Sequence, residues 1–385
     1  MTRAKVIAVA VALAGVAFLA VHGSLERPVR WTPDGLFYQA RVLELRGETH
    51  EAAFREAFEG PIAERLRRVD AEHSGDPTWV AYNERFFERR VAVPLAAAAI
   101  HPAAGERSLM YVSLAGFVLA VLALFGLLLL RFSLPVAASV GLVTAVLPAL
   151  TDNAPLPQTD MWGLALLATA LAAAVLTLRR GMHWLALWIP AILVLSFTRD
   201  STWVAILALA WCAWRWRSRP AFVLVLTGIA AIVPAALMFP APLKELLAFA
   251  VNDFEPAPGM SWAEIARLYP GTLLDTLHSD AGFVRGGQWY TGLYFASGLA
   301  FLFVLARGQT GDRTVALLRA TVFSGVLYLL TVPLFSAFRL ELVLVPAAAF
   351  GFGLAAERLE AIARERLLPR LSGGAVVPQP EGRHP

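Results

Sequence analysis

The chain is poor in what a soluble enzyme uses to stay in water. Charged residues make up only 16% of its 385 positions, where a soluble domain carries about a quarter. Lys5 and Lys244 are its lysines, and nearly every other cation is an arginine. One cysteine, Cys212, excludes a disulfide framework and any cysteine-based metal site. The net charge of +4 is too small and too dispersed to mark a nucleic-acid surface. No internal repeat is visible, which argues against a transporter built from duplicated halves.

Apolar sequence fills the space. Hydrophobic residues reach 58%, and mean hydropathy is +0.61. Two uncharged runs, "VIAVAVALAGVAFLAV" (Val6 to Val21) and "SLMYVSLAGFVLAVLALFGLLLL" (Ser108 to Leu130), are each close to the ~20 apolar residues that cross hydrocarbon as a helix. The fold class expected is therefore all-α, a polytopic transmembrane protein of about ten spans. Their expected ranges are 5–22, 108–130, 134–151, 160–178, 183–198, 201–216, 220–239, 289–306, 314–335 and 340–356. The first resembles a signal peptide, but His22 makes "AVHGS" a poor cleavage site, so it is read as an uncleaved span.

Arginines set the orientation. Arg3, Arg131, Arg179, Arg180, Arg215, Arg217, Arg219, Arg307 and Arg313 fall on one side of such a bundle, and the short loop 152–159 on the other side has no Lys or Arg. The positive-inside rule then places both termini in the cytoplasm. Two long segments face outward: 23–107, expected as helices over 33–46, 48–72 and about 80–100, and 240–288, which contains the capping box "SWAE". The unit 1–356 is followed by a tail, 357–385, expected to begin as a basic amphipathic helix and end disordered.

The residues able to carry chemistry lie on the outward side. In "WTPDGLFYQA", Thr32 can cap a helix with Pro33 in its first position, which puts Asp34 at the positive end of the helix dipole and Tyr38 one turn on. "TDNAPLPQTD" supplies Asp152 and Asp160, the latter also a good cap for the fourth span. "FTRDS" holds Arg199 and Asp200 at the edge of hydrocarbon, as a structural ion pair or as a functional site. "SAFRLELVLVP" brings Arg339, which could simply snorkel. "NERFFERRVAVPLAAAAIHP" carries Arg89, Arg90 and Pro94 into an apolar helix too short to span, expected at the interface. Taken singly, each has a structural explanation. Taken together, they give an outer cavity of carboxylates and arginines suited to group transfer from a lipid phosphate. A carboxylate would act as general base, and Arg or a metal would stabilise the departing phosphate. A transporter, a channel or a non-catalytic scaffold are the competing classes.

Four stretches resemble the GT-C superfamily of membrane glycosyltransferases, most closely its bacterial mannosyltransferase-like and aminoarabinose-transferase-like members: "PDGLFYQARVLELRG", "RFFERRVAVPLAAAAI", "APLPQTDMWGLALLATAL" and "FRLELVLVP". The resemblance implies an enzyme of the bacterial plasma membrane with an extracytoplasmic active site and a large helical first loop. It would move a sugar from a polyprenyl-phosphate donor to a glycan, lipid or protein acceptor, with inversion. Asp34 would be the catalytic carboxylate. Arg339, Arg199, Arg90 and Tyr38 would lie toward the donor phosphate, and Asp160, with Asp152, near the phosphate or a divalent metal. Many relatives carry two adjacent acidic residues in the first loop; here Gly35 follows Asp34.

Overall fold

A computed structural model describes residues 2–67, 76–240, 243–309, 311–331 and 339–366. Among them the chain is all-helical, with no strand. The first helix, α1 (Arg3–His22), packs Leu13, Ala17 and Val21 inward. Five shorter helices follow: α2 (Pro33–Leu45), α3 (His50–Glu59), α4 (Pro61–Arg67), α5 (Pro77–Phe87) and α6 (Ala92–Ala104). They share a core of their own, in which Phe37 stacks on Phe87 at 4.5 Å and meets Phe58 edge-on at 4.8 Å. The piece expected as one helix over 48–72 is split at Gly60, and its positions 68–72 lie outside the described residues. α6 leaves Leu95 and Ile100 exposed, as an interfacial helix would, but runs through a single 3-10 turn into α7 (Ser108–Leu129) rather than standing apart.

The bundle continues with α8 (Leu134–Ala145), α9 (Pro148–Thr151), α10 (Asp160–Arg180), α11 (Leu185–Ser196), α12 (Thr202–Trp216) and α13 (Arg219–Met238). After α14 (Leu243–Val251) and α15 (Trp262–Phe283) come α16 (Trp289–Val304), α17 (Arg313–Thr331) and α18 (Val345–Arg366). α10 is buried nearly all round and packs most extensively on α7 and α11. A helix that is apolar on every face belongs at the centre of such a bundle.

Six helical runs are long and apolar enough to cross a membrane: Arg3–His22, Ala92–Leu129, Asp160–Arg180, Arg219–Met238, Arg313–Thr331 and Glu341–Ala363. The other four expected spans are also helices, but α8, α11, α12 and α16 have only 12, 12, 15 and 16 residues. At about 1.5 Å per residue these fall short of a ~30 Å hydrocarbon core. The shortening of the third has a local cause. Pro148 disfavours the helical conformation at the residue before it, and Leu147 is extended (ψ 120°), which separates α8 from α9.

Both ends of the bundle are pinned by arginine–carboxylate pairs. At one end, Arg131 pairs with Asp312 (3.3 Å) and Glu357 (2.9 Å), Arg179 pairs with Asp312 (2.7 Å), and Arg313 donates to the Leu178 carbonyl at 2.9 Å. These residues come from the loops expected on the cytoplasmic side. α18 passes beyond Glu357 without a break to Arg366, so the expected amphipathic tail begins as a continuation of the last span; 367–385 lie outside the described residues.

Candidate functional site

The opposite end gathers the sequence-predicted residues. α2 begins as its sequence dictates: Thr32 Oγ1 accepts the Gly35 N–H at 3.2 Å, and Pro33 occupies the first turn. Gln158 donates to the same Thr32 oxygen at 3.0 Å, which ties the loop before α10 to the start of α2. Gly35 permits that approach, because a Cβ there would sit 3.0 Å from Pro157 Cγ. The glycine that follows Asp34 therefore has a packing reason.

Asp34 and Asp160 meet on one guanidinium. Arg339 Nη2 donates to Asp34 Oδ2 at 2.7 Å and to Asp160 Oδ2 at 3.2 Å, and its Nε lies 3.3 Å from Asp160 Oδ2. Arg199 closes on the other oxygen of Asp160. Gly163, one turn further along α10, leaves room for this arginine: a Cβ would come within 2.8 Å of Arg199 Cγ. The Asp160 side chain is only 1% exposed, while that of Asp34 is 29% exposed. Two expectations change here. Asp160 makes no side-chain cap to α10, because both its oxygens are taken by arginines. Arg339 does not snorkel; it turns inward as a bridge.

Arg199 and Asp200 do not pair with each other either. Asp200 faces Arg89 at 3.0 Å and Arg90 at 3.5 Å. Arg90 also donates to Tyr38 Oη at 3.1 Å, and Tyr38 Oη is 3.3 Å from Thr159 Oγ1. Arg89 is anchored by a 2.8 Å bond to the Ser196 carbonyl. Three carboxylates and four guanidinium groups thus form two neighbouring ion-paired clusters, Asp34 and Asp160 with Arg199 and Arg339, and Asp200 with Arg89 and Arg90. Burial works against the charge on Arg90 and Arg339, but Tyr38 and Asp200 around the first, and Asp160 and Asp34 around the second, raise both above the usual arginine range. Burial would lift Asp200, and Arg89, Arg90 and Arg199 outweigh it and hold the carboxyl below the usual range. Together the two clusters carry one positive charge in excess, and their cations are permanent.

Asp152 stands elsewhere. It is exposed and accepts a hydrogen bond from Gln288 Nε2 at 3.1 Å. Among the described residues no group of three or more His, Cys, Asp or Glu side chains is arranged to hold a metal ion. With both Asp160 oxygens on guanidinium groups and Asp152 apart, this pair does not fit a divalent cation, which needs free carboxylate lone pairs directed at one point.

A cavity of about 320 Å³ opens beside Asp34. Its lining combines Arg90, Arg199 and Arg339 with the aromatic side chains of Trp79, Phe86, Phe87, Phe249 and Phe254 and the buried Asn83. α14 supplies part of this wall. Tyr82 Oη donates to the Glu245 carbonyl at 2.9 Å and Trp79 Nε1 to the Phe254 carbonyl at 3.1 Å, so the segment that begins with α14 is fastened over α5. Asp253 and Phe254 take left-handed backbone angles (φ 54° and 64°) to complete this turn. A smaller void of about 10 Å³, lined by Asp160, Arg199, Arg339 and Tyr328, has room for about one water. Asn83, Tyr328 and the aromatic wall were not singled out from sequence. The runs "NERFF" and "LLAFAVNDF" are the signals that could have marked the wall.

No protein-family model matches the chain, and no curated protein is significantly similar to it.

Proposed function

We propose that the chain is a membrane glycosyltransferase of the GT-C type, which moves a sugar from a polyprenyl-phosphate donor to an acceptor hydroxyl at the extracytoplasmic face. One observation carries this reading: Asp34, partly open to the cavity, has one carboxylate oxygen on Arg339, while its Oδ1 has no hydrogen-bond partner among the described residues. A base poised in this way needs no rearrangement before it accepts a proton.

The acceptor hydroxyl gives its proton to Asp34 Oδ1 as its oxygen bonds to the anomeric carbon. The bond from that carbon to the donor phosphate breaks, and the phosphate oxygen leaves with the electron pair. Arg339, Arg199 and Arg90 line the cavity where this charge develops and would stabilise it. Phosphate is a good leaving group, so no carboxylic acid need protonate it. Attack opposite the leaving group inverts the anomeric centre. Asp160 holds Arg199 and Arg339 in place rather than reacting. The excess positive charge of the two clusters suits an anionic donor, and the aromatic lining of the cavity suits the faces of a sugar ring or the first isoprene units.

The same geometry supports ten crossings with both termini in the cytoplasm. Arg131, Arg179, Arg313 and Glu357 then share the cytoplasmic end, while Asp34, Asp160, Arg199 and Arg339 share the outer end. The four short helices would cross with help from their flanking turns and locally thinned lipid. The test is transfer of labelled sugar from synthetic polyprenyl-phosphate donors by purified protein. Release of polyprenyl phosphate together with a glycosylated acceptor is expected; absence of transfer across the common bacterial donor sugars would count against the reading.

A further inference from the structure

The cytoplasmic-side end of the bundle holds a second cavity. α12 ends at Trp216, Arg217 takes a left-handed conformation (φ 47°, ψ 37°), and α13 starts at Arg219. Between these helix ends lies a notch of about 610 Å³, lined by Trp214, Arg217, Ser218, Arg219, Phe222 and Val225. Its size falls within the ~300–1,000 Å³ of small-molecule sites.

The arginines of the notch differ from their neighbours. Arg131, Arg179 and Arg313 at the same end are committed to Asp312, Glu357 or main-chain carbonyls. Arg313 also lies over the Trp216 ring at 6.0 Å, which places the notch beside that ion-paired cluster. Arg217 and Arg219 have no acidic partner among the described residues, and both are exposed. Arg219 sits in the first turn of α13, which contains no acid. That turn is the positive end of the helix dipole, where a cation is unfavourable and an anion is stabilised. A non-glycine residue in the left-handed region carries strain that is usually tolerated for a reason; here it keeps a guanidinium at the mouth of the notch.

The rest of the notch is apolar. Trp214 is 75% exposed and Phe222 58% exposed, and Leu226, one turn on along the same face of α13, is also exposed. A cationic rim opening onto an apolar strip along a membrane helix matches an amphiphile with an anionic head. We propose that this notch binds the headgroup of an anionic membrane lipid. Arg217 and Arg219 would contact its phosphate, and Trp214 and Phe222 would flank the glycerol and the start of an acyl chain. The inference is independent of the glycosyltransferase reading, since it uses no residue of the outer cavity.

The test is quenching of Trp214 fluorescence in the full chain, reconstituted in phosphatidylcholine nanodiscs that contain a low fraction of dibrominated lipid. The Trp214 signal is the difference between the native chain and Trp214→Phe. Dibrominated phosphatidylglycerol is expected to quench it as if enriched on the order of 10-fold over dibrominated phosphatidylcholine. The Arg217→Gln, Arg219→Gln double variant should lose this excess, and Arg180→Gln, an exposed arginine at the same end, should keep it. Equal quenching by the two lipids, or an excess that survives the double variant, would overturn the proposal. So would loss of the excess on adding inorganic phosphate alone, which would mark a site for soluble anions. Helical circular dichroism identical to the native chain qualifies each variant, and because the substituted side chains are exposed, the native helix content is expected.

Discussion

Arg339 Nη2 stands 2.7 Å from Asp34 Oδ2 and 3.2 Å from Asp160 Oδ2, so one guanidinium joins the first turns of α2 and α10. The two carboxylates differ in exposure, and their expected roles differ with it. Asp160, enclosed between Arg339 and Arg199, orders the cations. In the proposed reaction Asp34, open on one side, is the group that would exchange a proton with the substrate.

Removing Asp160 should therefore show first in stability. Asp160→Asn leaves Arg199 buried without its counter-charge. Breaking a buried pair from one side costs about 3–5 kcal/mol, so thermal unfolding in detergent should shift strongly downward. Asp152→Asn, at an exposed position bonded only to Gln288, should stay within about 0.5 kcal/mol of the native chain. Equal effects from the two substitutions would contradict the division of roles.

Arg339→Lys tests the bridge. Lysine keeps the charge but lacks the rigid Nε–Nη2 edge that holds Asp160 while Nη2 reaches Asp34. Turnover should fall by ~10²–10³-fold, the usual cost of one lost transition-state donor. Near-native sugar transfer by this variant would show that the two-carboxylate geometry is dispensable.

Much of this site could be read from the sequence because local rules fixed its parts. Thr32, Pro33 and Asp34 specify a helix start, and Ser261 with Glu264 specifies another; both are formed, the second with both reciprocal bonds of a capping box. The alternation of arginine-bearing loops put Asp34, Asp160, Arg199 and Arg339 on one face, and the fold brings them together. The partners could not be read. Arg199 and Asp200 are adjacent in sequence yet point to different carboxylates and cations, because pairing across separate helices is decided by packing. Asp152 and Asp160 bracket one short loop, but a carboxylate at a helix start and one at a loop surface need not face the same point. Span length was misjudged where Pro148 interrupts an apolar run whose composition continues unchanged.

Asp200 supplies a pH test. Its carboxyl is held below the usual range, so its folded value lies beneath its unfolded value of about 3.9. Its stabilising contribution is then fully present above about pH 4 and is lost as pH falls through the folded value. Asp200→Asn should lower thermal stability at pH 7 and narrow the native chain's advantage at pH 3. A constant difference between the two proteins over this range would show that the Arg89 and Arg90 contacts contribute no charge-dependent stability.

Orientation is open to labelling. Cys212 is buried and gives little background to an impermeant maleimide. In intact cells, Glu48→Cys and Arg267→Cys, both at exposed positions, should react from outside, and Arg180→Cys and Arg307→Cys only after permeabilisation. Reaction of Glu48→Cys from the cytoplasmic side alone would put the whole carboxylate–arginine network on the wrong face for an extracytoplasmic enzyme.

The most direct measurement compares the native chain with Asp34→Asn in transfer of labelled sugar from polyprenyl-phosphate donors, alongside thermal unfolding of both. Asparagine preserves the shape and the helix start while removing the basicity. A general base contributes about 10²–10⁴-fold, so transfer should fall by that order while stability changes by no more than about 1 kcal/mol, the usual scale of a charge at a helix start. Unchanged transfer by Asp34→Asn would contradict the account and leave Asp34 as the acidic first turn of a well-capped helix.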